Sequence, residues 1–152
     1  MAIPEKLQEL GLELPPAPQP VGSYVPAMRT GNLLYTSGQL PTRQGKLLHT
    51  GKLTTEVTVE QAQQCARQAV LNALAAVSTA IDDVTRIRRV VRMTCYVNSA
   101  EGFTGQSQVA NAASDLLVAL MDQSGRHTRC AVGVGELPLD SPLELDLILE
   151  VD

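Results

Sequence analysis

Two consecutive segments decide the fold of this 152-residue chain: HTRCAVGVGELP (residues 127–138) and LELDLILE (residues 143–150). Bulky and small residues alternate along the first segment, and leucine recurs at every second position of the second segment. This period of two is typical of β-strands. A proline-containing turn at 138–142 separates them. We therefore predict two neighbouring strands, with Arg129 beginning the first and Glu144 beginning the second.

Arg129 lies on a predicted strand face whose other members are Ala131, Gly133 and Gly135, so there is room for a ligand beside its guanidinium. A guanidinium pairs bidentately with a carboxylate. Glu144 in a partly dry cleft could hold or deprotonate a water molecule. The alternative is a structural salt bridge between the two strands, which contributes little stability. The pattern leaves both interpretations open, and the small neighbours of Arg129 favour a ligand site.

Further strands and helices are predicted around these two segments. In chain order they are a short helix over 4–12, strands over 21–28 and 33–38 joined by a turn at 29–32, one short strand near Leu47, a helix from Thr58 to about Ile81, a strand over 84–97, and a helix from about Ser99 to Met121. This order predicts an α+β fold in which one mixed β-sheet carries two helices on one face. The other face, which we expect to include the small residues beside Arg129, would be covered by another copy of the chain.

Composition limits the classes of function. The length fits a single domain over 21–152, preceded by an N-terminal extension over 1–20 that is rich in proline. The net charge of −4 and the four aromatic residues, three Tyr and one Phe, disfavour nucleic-acid binding. An arginine cluster within 86–92 indicates a solvated strand edge or an inter-subunit surface, with RNA binding as the alternative. Three cysteines without a CxxC spacing, no signal peptide and no membrane-length apolar run predict a cytoplasmic protein.

Other side chains capable of chemistry are few. Tyr24 and Ser37 lie in the predicted hairpin and could cover and hydrogen-bond a small ligand, although each alone is more often structural. Cys95 and Cys130 are predicted to be small buried hydrophobes rather than nucleophiles. The two histidines have no paired spacing, so we predict no metal site.

Three stretches resemble one known family. They are VGSYVP (21–26), GNLLYTSGQLP (31–41), and Arg129 followed by Leu-Pro at 137–138 and Leu-Glu-Leu at 143–145. In this order they are similar to the Rid family, also called YjgF-like or "endoribonuclease L-PSP". The resemblance covers nearly all of the chain from Val21 onward, and the length and the HTRCAVGV segment are those of the family's larger members.

The resemblance implies a chorismate-mutase-like α+β fold, as in RidA, assembled as a barrel-like homotrimer with clefts between subunits. It implies that Arg129 holds the carboxylate of a 2-imino acid and that Glu144 orients the attacking water. Tyr24 and Ser37 would line the cleft, and Asn111 would reach it from the second helix. The implied reaction is hydrolysis of the imine to a 2-oxo acid and ammonia, with no cofactor and no metal.

One position departs from the family pattern. Ala131 stands where many deaminases of the family carry a cysteine that faces the cleft, two residues after the arginine. We therefore carry two hypotheses: a cofactor-free deaminase of 2-imino and enamine acids, and a trimer that binds small carboxylates, or regulates a partner, without turnover. A third, an endoribonuclease, is disfavoured by the acidic charge, the isolated histidines and the scarcity of aromatic residues.

Overall fold

The computed structural model of the chain describes residues 1–19 and 22–152. In those residues the helices are α1 (Ile3–Glu9), α2 (Val59–Val77) and α3 (Gln106–Met121). The strands are β1 (Ala27–Thr30), β2 (Leu33–Thr36), β3 (Thr42–Arg43), β4 (Lys46–Leu47), β5 (Ile87–Asn98), β6 (Thr128–Val134) and β7 (Leu143–Val151).

Five strands form one sheet in the order β1-β2-β7-β5-β6. β5 runs parallel to β6, and the other neighbouring pairs are antiparallel. β3 and β4 form a separate two-stranded ribbon, in agreement with the short strand predicted near Leu47. The predicted α+β fold with a mixed sheet is confirmed.

The predicted pairing between the strands of Arg129 and Glu144 is wrong, because β5 lies between β6 and β7. The connection from β6 to β7 crosses the end of β5 instead of closing a tight hairpin. Asn98, the last residue of β5, secures this crossing. Its backbone N–H donates to the carbonyl oxygen of Pro142 at 2.8 Å, and its side-chain amide donates to the carboxylate of Asp140 at 3.1 Å.

Both long helices pack on the same face of the sheet, as predicted. α2 contacts β7, and α3 contacts β5, β6 and α2. Four inward side chains of β7 are leucines with no exposed surface, namely Leu143, Leu145, Leu147 and Leu149, and Val151 is also buried. Many of the buried residues of α2 are alanines, which allow the helix to approach its neighbours closely. The predicted capping box is present: the Thr58 hydroxyl accepts from the Gln61 N–H, and the Gln61 side chain accepts from the Thr58 N–H.

In residues 1–19 and 22–152, no helix packs on the opposite face of the sheet, and this face exposes large apolar side chains. Met28 of β1 pairs in register with Tyr35 of β2, and they are 58% and 42% exposed. Val132 of β6 is 42% exposed on the same face. Apolar surface of this kind is typical of a surface that another molecule covers.

Some predicted boundaries are wrong for local reasons. Helix α3 begins at Gln106 and not, as predicted, near Ser99. The reason is that the Ser99 N–H still pairs with the carbonyl oxygen of Val134, and Gly102 adopts a left-handed conformation with φ of +82°. The first strand begins at Ala27, after Pro26; Val21, its predicted start, lies outside the described residues. The proposed domain boundary between residues 20 and 21 falls at the same gap and stays a prediction.

Candidate carboxylate-binding site

Arg129 projects from edge strand β6 toward helix α3. Its register partner Met93 is fully buried, so the Arg129 side chain leaves the sheet on the face covered by the helices. One terminal nitrogen, Nη1, donates to Asn111 Oδ1 at 2.8 Å and to Ser114 Oγ at 3.1 Å. Asn111 and Ser114 are three residues apart on α3 and therefore share one face of the helix. The structure thus brings Asn111 to Arg129; that Asn111 lines a substrate cleft stays a prediction.

These two bonds determine which side of the guanidinium can receive a ligand. Each terminal nitrogen carries two hydrogens, so Asn111 and Ser114 use both hydrogens of Nη1. Within residues 1–19 and 22–152, Arg129 Nε and Nη2 donate to no protein atom. These two nitrogens form the side-on edge of the guanidinium, which matches the two oxygens of a carboxylate.

The small residues beside Arg129 differ in how much room they leave. Ala131 is half-buried against the core. Gly133 is exposed, but a Cβ placed there would lie 2.7 Å from Gln106 Nε2 and 3.0 Å from Ser99 Oγ, so a larger side chain would not fit without a shift of these groups. The prediction that this row of small residues, Ala131, Gly133 and Gly135, lies on the uncovered face of the sheet is wrong. The row faces the helices, whereas Cys130 and Val132 face away from them.

Glu144 projects from β7 on the uncovered face and is half-buried. Burial raises the pKa of its carboxyl group above the ordinary value, and the negative charge of Asp146 raises it further. A raised pKa makes the ionised carboxylate a stronger base, which suits it to accept a proton. The Glu144 side chain packs directly against Gly38, where a Cβ would lie 2.0 Å from Glu144 Oε1.

Arg129 and Glu144 therefore project from opposite faces of the sheet. The register of β5 shows this, because Met93 lies opposite Arg129 and is fully buried, whereas Tyr96 lies opposite Glu144 and is half-exposed. Together with the strand order, this excludes the direct salt bridge between them that the sequence left open. One chain cannot place both side chains on the same small ligand.

Ser37 lies near Glu144 and not near Arg129, and Tyr24 precedes Val25, to which Ser37 is hydrogen-bonded. Ser37 directly precedes Gly38, the residue that Glu144 contacts. The Ser37 hydroxyl donates to the carbonyl oxygen of Val25 at 2.6 Å, which ties the segment containing Tyr24 to the end of β2. The Tyr24 side chain is 57% exposed and so remains available to a ligand or to another copy of the chain.

The cysteines divide between the two faces. Cys95 is fully buried, as predicted, and burial raises the pKa of its thiol to about 12 although the positive charge of Arg129 acts to lower it. A thiol with this pKa is not a nucleophile at neutral pH. The prediction that Cys130 is buried is wrong, because its side chain lies on the uncovered face, with Sγ 3.2 Å from Arg92 Nη2.

One cleft of the chain contains no residue of the predicted site. That cleft, of about 470 Å³, lies between Thr54–Thr55 and the loop that precedes α3. Within the described ranges, no three His, Cys, Asp or Glu side chains form a group that could hold a metal ion. Every helix in the described part of the chain is too short or too polar to cross a membrane.

Sequence reasoning missed three residues of these two sites: Gly38, Ser114 and His127, whose Nε2 lies 3.0 Å from Ser114 Oγ. Ser114 follows Asn111 by one helical turn, so the helical period was the signal that could have found it. Gly38 and His127 had no such signal, because each acts through a contact with a residue distant in the sequence.

We expect Gly38→Ala to lower kcat/KM of any reaction that uses Glu144 by about tenfold, since the added methyl must displace the Glu144 carboxylate and small misplacements of a reacting group are costly. Gly135→Ala is the matched control, because a Cβ at that position meets nothing within 4 Å. Steady-state kinetics of both variants check this. Equal rates for Gly38→Ala and the wild type would contradict it.

The mixed sheet, with two long helices on one face and Arg129 on its edge strand β6, defines a small α+β protein. A family model described as "YjgF/chorismate mutase-like, putative endoribonuclease" matches residues 5–151. The chain belongs to this family.

Individual relatives agree with this assignment. Protein TCP17 of Trypanosoma cruzi is 41% identical over 147 residues, covering 96% of this chain and 92% of that protein. The crystal structure of Atu1372, a protein of unknown function from Agrobacterium tumefaciens, superposes with a TM-score of 0.92 at 42% identity, covering 99% of this chain and 92% of that one. A 2-iminobutanoate/2-iminopropanoate deaminase of Dermatophagoides farinae is 28% identical over 141 residues, or 93% of this chain and 95% of that protein.

Proposed function

We propose that the protein hydrolyses reactive 2-imino and enamine acids to 2-oxo acids and ammonia. The observation that carries this proposal is the orientation of Arg129. Asn111 and Ser114 occupy one nitrogen of its guanidinium, and the edge that fits a carboxylate is left without a partner in the described residues. The relative named as a 2-iminobutanoate/2-iminopropanoate deaminase supports the choice of substrate class.

The catalytic site is formed between two copies of the chain. Arg129 and Glu144 lie on opposite faces of one sheet, so they can meet only when the helix-side edge of one copy approaches the uncovered face of the next. The exposed apolar residues Met28, Tyr35 and Val132 support burial of that face. A closed homotrimer satisfies this head-to-tail arrangement, since a heterologous contact that closes gives a ring. Tyr24 and Ser37 would then line the cleft beside Glu144.

The mechanism requires positioning of the substrate and transfer of the two water protons to the nitrogen. Arg129 binds the substrate carboxylate and so fixes the adjacent imine carbon. Glu144 of the neighbouring copy accepts a proton from water as the water oxygen attacks that carbon. The proton then goes to the imine nitrogen, which gives an adduct that carries a hydroxyl and an amine on the same carbon. Glu144 accepts the hydroxyl proton and passes it to the amine nitrogen, so the C–N bond breaks and ammonia leaves as the C=O of the 2-oxo acid forms. Imine hydrolysis consumes only water, so the reaction draws on no electron acceptor or donor.

The experiment that tests the proposal follows the release of 2-oxo acid. An amino-acid oxidase or a serine/threonine dehydratase generates the imine in the cuvette, and the purified protein is added. We expect saturable turnover above the spontaneous hydrolysis of the imine. Turnover equal to the spontaneous rate would contradict the proposal. The three free cysteines fit a cytoplasmic location for this activity.

A second candidate function is carboxylate binding without turnover. The observation that favours it is that Arg129, Asn111 and Ser114 are assembled within one chain, whereas Glu144 must come from another. Ala131 also offers no polar group where many deaminases of the family carry a cysteine. Calorimetric binding of a small carboxylate that is lost in Arg129→Ala, with no imine turnover by the wild type, would select this alternative.

The described residues give less support to an endoribonuclease. Both ring nitrogens of His127 are engaged inside the chain, by Ser114 Oγ and by the carbonyl oxygen of Gly125. This imidazole is therefore not free for acid-base work on a ribose hydroxyl.

The pH dependence of the reaction follows from Glu144 and its neighbour. The negative charge of Asp146 helps to raise the pKa of Glu144, so Asp146→Asn should lower that pKa. The base would then stay ionised at lower pH, and we expect the acid limb of the profile of kcat/KM against pH to move to lower pH. Profiles of the wild type and Asp146→Asn check this. An acid limb that stays in place or moves to higher pH would contradict it.

A further inference from the structure

His127 connects the turn before β6 to the side chain of Arg129. Its Nδ1 lies 2.6 Å from the carbonyl oxygen of Gly125, and its Nε2 lies 3.0 Å from Ser114 Oγ. Ser114 Oγ in turn accepts from Arg129 Nη1 at 3.1 Å. The three side chains and the Gly125 carbonyl thus form one continuous chain of hydrogen bonds.

For a neutral imidazole, the direction of each bond follows from the groups at the two ends. A carbonyl oxygen can only accept, so His127 Nδ1 carries a proton. In the neutral ring Nε2 is then an acceptor, and it receives the single hydroxyl proton of Ser114. Because that proton is committed to His127, Ser114 Oγ presents a lone pair to Arg129, which can only donate. With these directions, each of the three hydrogen bonds from Arg129 to the Gly125 carbonyl has one donor and one acceptor.

The Gly125 end of the chain is fixed by backbone packing. A Cβ at Gly125 would lie 2.2 Å from the carbonyl oxygen of Leu117, so the turn sits directly on helix α3. The carbonyl that orients His127 is therefore held by the same helix that carries Ser114.

We propose that His127 and Ser114 are positioning residues that fix the Arg129 guanidinium for a substrate carboxylate. Neither residue touches the substrate. Without His127, the Ser114 hydroxyl could rotate to the carbonyl oxygen of the preceding helical turn and would no longer present a fixed lone pair. Arg129 would then rotate more freely, and each carboxylate bound would have to order it again. This inference rests on the proposed role of Arg129 in carboxylate binding.

Two substitutions of His127 separate positioning from folding. The amide of His127→Asn reaches the position of Nδ1 and keeps the bond to the Gly125 carbonyl oxygen, but it does not reach Ser114. The longer His127→Gln places its amide near the position of Nε2 and restores an acceptor for Ser114. Ser114→Ala removes the middle of the chain, and thermal unfolding of each variant checks that the fold is retained.

The test measures 2-oxobutanoate, a product carboxylate, by calorimetry and measures KM and kcat with the imine. We expect Ser114→Ala and His127→Asn to raise Kd and KM about tenfold while kcat changes less than twofold, and we expect His127→Gln to recover most of this loss. Unchanged Kd and KM in both Ser114→Ala and His127→Asn would overturn the inference. A fall in kcat as large as the rise in KM, if His127→Gln does not recover it, would also overturn the inference.

A measurement without any ligand distinguishes failure of this inference from failure of the proposed function. Long-range ¹⁵N–¹H NMR of the wild type should show His127 as the neutral ring protonated at Nδ1. A ring protonated at Nε2 alone would overturn the inference whatever the enzyme activity. Absence of imine turnover, with the Nδ1 tautomer present and 2-oxobutanoate binding weakened by Ser114→Ala, would refute only the deaminase proposal.

Discussion

Arg129→Ala is expected to lower kcat/KM for imine hydrolysis by about a hundredfold, mainly through KM. The variant removes the side-on pair of donors, Nε and Nη2, that would bind the substrate carboxylate. Loss of one partner from a hydrogen-bonded charge pair in a partly buried site costs about 2–5 kcal/mol. A hundredfold loss of kcat/KM corresponds to an energy near the lower end of this range. Steady-state kinetics over a range of imine concentrations measure the effect, after subtraction of spontaneous hydrolysis.

Two further variants make the result specific to Arg129. Arg129→Lys keeps the charge but not the planar fork, so its kcat/KM should fall between those of the wild type and Arg129→Ala. Arg126→Ala removes an exposed arginine three residues earlier and should leave the kinetics unchanged. If Arg129→Ala retained full kcat/KM, the carboxylate site would have to lie elsewhere.

Glu144→Gln is expected to lower kcat by about a hundredfold or more, with a smaller change in KM. Glutamine has nearly the same shape as glutamate and can keep the packing against Gly38, but it cannot accept a proton from water. General base catalysis typically contributes about 10²-fold to 10⁴-fold. Single-turnover and steady-state rates of 2-oxo acid release give the measurement.

The control for Glu144→Gln is Glu60→Gln, because Glu60 is exposed in the first turn of α2. That variant should keep the wild-type rate. Carboxylate binding in Glu144→Gln should also persist, since Arg129 and its partners on α3 are unchanged. A wild-type kcat in Glu144→Gln would contradict the role of Glu144 as the general base and leave it only a structural role.

Most of the fold could be predicted from the sequence because its elements have strong local signals. The alternating leucines of β7, the capping box at Thr58 and the alanine-rich stripe of α2 each give a period or a cap that a single segment contains. The uncovered sheet face could also be predicted, because both long helices were expected on one side of the sheet, which leaves the other side without a helix.

The order of the strands could not be predicted in the same way. The turn at 138–142 looks like a hairpin connection, and nothing in β6 or β7 reveals that β5 lies between them. That insertion depends on long-range pairing of β5 with both strands. It changes the interpretation of the site, since it places Arg129 and Glu144 on opposite faces and makes the proposed active site a property of two copies.

Two of the residues that orient the proposed catalytic groups could not be predicted from the sequence. Gly38 matters because a carboxylate of β7 approaches its backbone, and His127 matters because Ser114 lies one hydrogen bond away. Such contacts join residues far apart in the chain. They become visible only after the strands and helices are placed against one another.

Mixing Arg129→Ala chains with Glu144→Gln chains tests the shared site most directly. The two inactive proteins are unfolded, combined in equal amounts and refolded together, and the rate of imine hydrolysis is compared with that of each variant refolded alone. In a closed ring, about a quarter of the clefts then pair an intact Arg129 from one copy with an intact Glu144 from the next. We predict recovery of roughly a quarter of the wild-type rate; a mixture as inactive as its two components would contradict an active site shared between two copies.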